Sequence, residues 1–98
     1  MKRPSSAPRE AAEILAIRAL SFIAEEPERL AAFLGATGLT IERLRESATA
    51  PGFLAGVLEH MLGDESLLLA FAQTVAIDPA DITRAKIALG GAWERDIP

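Results

Sequence analysis

Ninety-eight residues, half of them apolar, make one domain that can hold a single core without covalent staples. The absence of cysteine excludes disulfides, thiol catalysis and thiolate metal sites, and fits a reducing compartment. A net charge of −4 argues against a nucleic-acid binder, which needs a concentrated positive surface.

Aromatic residues are 5% of the chain and none is tyrosine, so Leu, Ile and Ala must build the core around four Phe. That material favours helices over strands, and no alternating β-branched run or Asn-Gly hairpin signal competes with them. The expected fold class is all-α, a compact orthogonal bundle of five to six short helices.

Residues 1–7 read as a flexible polar arm. Two early basic residues are followed by Glu10, Glu13 and Arg18, not by the ~7–15 apolar residues of a signal peptide. With no transmembrane span either, the expectation is a soluble cytoplasmic protein. A single helical domain is expected over 8–90, with a C-terminal tail over 91–98.

The first helix is expected from about Pro8 to Ala24, capped by Ser6. Glu10, Arg18, Ser21 and Glu25 share one stripe, with Ile14 as its apolar exception, while Leu15, Ile17, Leu20 and Ile23 cover much of the rest. Glu26-Pro27 breaks the chain and opens a second helix, whose core face is Leu30, Phe33 and Leu34 and whose stop is Gly38. Thr40 caps a short third helix, Ile41 to Ala48, with Ile41 and Leu44 facing inward. The fourth helix runs from Pro51 to Leu62, with Phe53, Leu54, Val57, Leu58, Met61 and Leu62 at helical spacing. Gly63 stops it and Asp64 caps the fifth.

The fifth helix contains Leu67 to Ile77, where only Ser66, Gln73 and Thr74 supply a polar edge. So broad an apolar surface predicts the central helix of the bundle, and it is far shorter than the ~20 residues a bilayer requires. Asp78-Pro79 opens the sixth helix, where Ile82, Ala85, Ile87 and Leu89 lead to a stop at Gly90-Gly91.

A shift of 38 residues lays the second half on the first. Leu20 falls on Leu58, Leu30 on Leu68, Phe33 on Phe71 and Leu44 on Ile82, with the breaks at Glu26 and Asp64 in step. The pattern predicts two pseudo-repeated three-helix units around a shared core of Ile17, Leu20, Phe33, Leu58, Leu68 and Phe71.

The line ILAIRALSFIAEEPERLAAFLGATGL, then TIERLRE, PGFLAGVLEHMLGDESLLLAFA and IDPADITRAKIAL, resembles a family of short all-helical alphaproteobacterial proteins known only as a domain of unknown function. The likeness spans about residues 10–90. It implies a helical fold and carries over no functional residue.

Candidate chemistry is sparse. His60 is the only side chain that titrates near neutrality when unperturbed. With no second His, no Cys and no nucleophile elbow around Ser47 or Ser66, a helix-end histidine is the simpler account than an enzyme using His60. Asp64, Glu65, Asp78 and Asp81 lack calcium-loop spacing and read as caps and first-turn acids. Residues 39–61 can be drawn as a helix-turn-helix of a small nucleic-acid-associated regulator. Its reader helix, however, offers Phe53, Leu54, Val57 and Leu58 to base edges, with no Lys, Arg, Asn or Gln. Gly35 and Gly56 lie inside helices, where close approach of another helix would offset their cost.

The leading expectation is therefore a non-enzymatic interaction module that binds itself, as a homodimer, or a protein partner. No cofactor, metal, nucleic acid, membrane or small-molecule ligand is expected. Ile14, Leu54, Leu58 and Met61 exceed what one small core can bury, and are expected to form the contact through the first or fourth helix. Trp93 is expected to seal the bundle or to lie near that contact's edge.

Overall fold

Local chemistry places the breaks between helices. Pro27 sits in the first turn of one helix while Glu26 before it is extended, and Gly38 ends that helix in the left-handed conformation at φ 75°. The Thr40 hydroxyl accepts the Arg43 N–H at 3.2 Å, and the Asp64 carboxylate accepts that of Leu67 at 3.2 Å. Asp78 and Asp81 cap reciprocally, with Asp78 Oδ1 accepting from Ala80 N–H at 2.9 Å and Asp81 Oδ2 from Asp78 N–H at 3.2 Å.

The result, in a computed structural model, is an all-α chain of α1 (Ala7–Ala24), α2 (Pro27–Thr37), α3 (Ile41–Ser47), α4 (Pro51–Leu62), α5 (Glu65–Val75) and α6 (Pro79–Arg95). It describes the backbone of residues 7–48 and 50–95 and the side chains of 9–48, 50 and 52–89. Ser6 therefore lies outside the described residues. The radius of gyration, 13.4 Å, is that of a compact domain. Gly90-Gly91 does not stop α6, which continues to Arg95. A glycine pair costs only ~1 kcal/mol per residue inside a helix, and Ala92, Trp93, Glu94 and Arg95 are able to carry it on.

The centre is the mutually packed trio α1, α4 and α6, not α5. On α4, Leu54, Val57, Leu58 and Met61 form a fully buried stripe at helical spacing. Burial on α5 is confined to Leu67, Phe71 and Ala72, and Leu69 is 46% exposed. The stripe of α1 that meets α4 and α6 is made of Ala12, Ala16 and Ala19, with Phe22 and Ile23 at its end. Small side chains let the axes approach. The larger Ile17 is turned away, 42% exposed, so it is not a core residue. Ile41 on α3, expected to face inward, is likewise exposed, as is Ile87 on α6. Leu20 and Leu68 are half-buried against a core that holds Phe33, Leu58 and Phe71. Within the described residues that core is wholly apolar.

The 38-residue offset recurs in the structure. The ends of α1 and α4, the starts and ends of α2 and α5, and the starts of α3 and α6 all fall 38 residues apart. So do two left-handed residues, Gly38 and Ala76 (φ 58°). Phe33 meets His60 edge-on at 5.0 Å, and Phe71 meets Phe22 at 5.4 Å. These are the same pair under the offset, each joining one half to the other, as a pseudo-two-fold arrangement demands. The halves differ in their third helices: α3 has seven residues and buries none, whereas α6 has seventeen and packs on both α1 and α4.

Candidate docking surface

The outer face of α1 follows from the alanine stripe on its inner face. With Ala12, Ala16 and Ala19 inside, helical geometry sends Glu10, Ile14, Ile17, Arg18 and Ser21 to the opposite side, and all five are exposed. Ile14 is 57% exposed. Beside this face runs a groove of about 470 Å³ between α1 and α6. Ala11, Ile14, Leu15, Ile77, Ala85 and Ala88 give it apolar walls; Arg18, Asp81 and Arg84 supply its polar groups. Asp81 pairs with Arg84, one turn along α6. Arg18 has no carboxylate partner among the described residues.

Of the residues expected to form the contact, Ile14 alone is placed on the described surface. Leu54, Leu58 and Met61 are 0–1% exposed and belong to the core. A core of fifteen side chains drawn from α1, α2, α4, α5 and α6 absorbs more of α4 than a count of apolar residues suggests. The stripe of α4 expected to form the contact is thus taken up by the core. Among the described residues the exposed positions of α4 are Gly52, Gly56 and Glu59, none of which carries a side-chain donor for a base edge. The side chain of Trp93 lies outside the described residues.

His60 is half-buried in the last turn of α4, its ring against Phe33. Phe33 also meets Phe53 edge-on at 6.1 Å, so the imidazole closes a three-ring cluster. Asp64, Asp78 and Asp81 are engaged as caps. Among the described residues no three His, Cys, Asp or Glu converge as metal ligands would. Among the described residues a methyl group added at Gly35 or Gly56 meets nothing within 4 Å, so neither glycine serves a close approach to another described residue.

One polar device carried no sequence signal. Arg29 lies over the Phe22 ring at 3.9 Å and donates from Nη1 to the Phe22 carbonyl at 3.1 Å. That carbonyl belongs to the last turn of α1, where oxygens lack helical partners. Arg29 thus ties α2 to the end of α1. The groove was equally hidden, because its walls are brought together from residues 11–18 and 77–88 only by folding.

The chain belongs to the DUF3572 family of proteins of unknown function, matching it over residues 9–92. The DUF3572 match begins two residues into α1 and ends at Ala92 within α6, so it takes in the bundle and both walls of the groove. No curated protein and no solved structure matches the chain. Among the described residues no helix is long and apolar enough to cross a membrane.

Proposed function

We propose that the protein is a cytoplasmic, non-enzymatic interaction module that self-associates as a homodimer through the outer face of α1. The observation that carries this reading is the exposure of Ile14 and Ile17 on one helical face, with an apolar groove alongside. A lone exposed apolar residue is ordinary on a protein surface. Two large ones on adjacent turns, continuous with an apolar groove, form a patch of the kind that marks interaction surfaces. Covering it with a second copy is the commonest solution, since a two-fold axis lets one patch meet itself. An interface built around one helix is small, which fits a dissociation constant of tens of micromolar, or roughly −6 kcal/mol.

Sedimentation of the wild type and of Ile14→Asp tests the reading. The wild type should be a dimer at tens of micromolar and above, in the range the estimate implies. Ile14→Asp should be a monomer with an unchanged helical spectrum, because its carboxylate would be left unpaired in the interface. A wild type that is still wholly monomeric at tens of micromolar, roughly the expected dissociation constant, overturns the proposal.

A further inference from the structure

We infer that the second copy lays its α1 antiparallel on α1, about a two-fold axis beside Ile14, with Glu10 of each copy paired to Arg18 of the other. This inference rests on the self-association proposed above and specifies its register. Glu10 stands four residues before Ile14 and Arg18 four after, all three on the exposed face. Neither charge has an ion-pair partner among the described residues. A two-fold axis at Ile14 exchanges positions equidistant from it. Ile14 then meets Ile14, each Glu10 meets an Arg18, and Ile17 meets Ala11.

That last pairing has a shape to match. Ala11 is an exposed part of the groove wall, where a small side chain leaves room. Ile17 of the second copy fills that space as a knob fills a hole. Parallel pairing in the same register sets Glu10 beside Glu10 and Arg18 beside Arg18, which like-charge repulsion disfavours. Antiparallel pairing also sets the positive end of each helix beside the negative end of the other. The partner is therefore a second copy of this chain, and the charges fix its direction.

The test is charge reversal in the full chain, read by sedimentation equilibrium with circular dichroism as the fold control. Arg18→Glu sets two carboxylates against each other at both ends of the interface, and Glu10→Arg does the same with two guanidinium groups. Each single variant should weaken the dimer about tenfold. The double variant Glu10→Arg with Arg18→Glu restores opposite charges in this register alone, and should return to within about threefold of wild type. Raising the salt to ~0.5 M should weaken the wild-type dimer as well. If the wild type dimerises but the reversals leave it unchanged, or the double variant is as weak as the singles, the register is wrong while self-association stands. If the wild type never dimerises, register and self-association fall together.

Discussion

Ala76→Gly should stabilise the protein by about 0.5–1 kcal/mol. Helix α5 ends at Ala76 with φ 58° and ψ 50°, and this is the one non-glycine residue at positive φ among those described. The Ile77 N–H reaches back to the Ala72 carbonyl at 3.0 Å, the closure that usually recruits glycine. Left-handed geometry costs an L-residue ~1–2 kcal/mol, because Cβ crowds the following carbonyl. Glycine removes that cost but gives the unfolded chain more freedom, worth ~0.4–1 kcal/mol in the opposite sense. The Ala76 side chain is exposed, so no core packing is lost. Gly38, the equivalent residue 38 positions earlier, already has glycine at φ 75°, and Gly38→Ala should lose ~1 kcal/mol. Urea denaturation of both variants gives the comparison, with equal m-values showing that the unfolded state has not confused it. Thermal midpoints should rise by roughly 2–8 °C for Ala76→Gly. An Ala76→Gly protein less stable than wild type would refute the reasoning.

Phe71→Ala should cost ~3–5 kcal/mol, most of the stability of a domain this size, because Phe71 is fully buried against Phe22; a melt displaced by only a degree or two would contradict its placement. Leu54→Asp should unfold the chain instead of merely separating a dimer, since Leu54 is 1% exposed and the carboxylate would have no partner. A helical spectrum at ambient temperature would show the core assignment of α4 to be wrong. Ile17→Ser should change monomer stability by no more than ~0.5 kcal/mol in denaturation at concentrations below dimerisation, as expected for a surface position.

The helix breaks were legible because they rest on chemistry within a few residues: Pro27 and its extended predecessor, Gly38, and the Thr40, Asp64 and Asp78 caps. The centre of the bundle was not legible. Leu67 to Ile77 is the broader apolar stretch, yet what decides centrality is which helices the others surround. Alanines that look neutral in α1 proved to be its contact surface, while the conspicuous Ile14 and Ile17 proved to be its outer face. Apolar spacing gives the period of a helix but leaves its rotation open when more than half the circumference is apolar, and that rotation decides core against docking face. The offset of 38 residues survived because both halves keep their helix breaks at equivalent positions and the same phenylalanine, although the third helices diverged in length.

The offset also bears on His60, the residue most open to a chemical role. Under it, His60 is the counterpart of Phe22, as Phe33 is of Phe71. Both aromatic pairs cross from one half to the other, at 5.0 and 5.4 Å. If the halves share one packing scheme, position 60 asks for a ring, and the imidazole nitrogens are incidental to it. His60→Phe should then keep the fold and match or exceed wild-type stability by up to ~1 kcal/mol, because a more apolar ring gains in burial and keeps its edge contact with Phe33. His60→Ala, which removes the ring, should lose ~0.5–1.5 kcal/mol from the aromatic contact alone. The two denaturation curves separate a ring requirement from a nitrogen requirement. A His60→Phe protein destabilised as much as His60→Ala would mean that the nitrogens matter, and the crossed pairing would no longer explain why a histidine stands there.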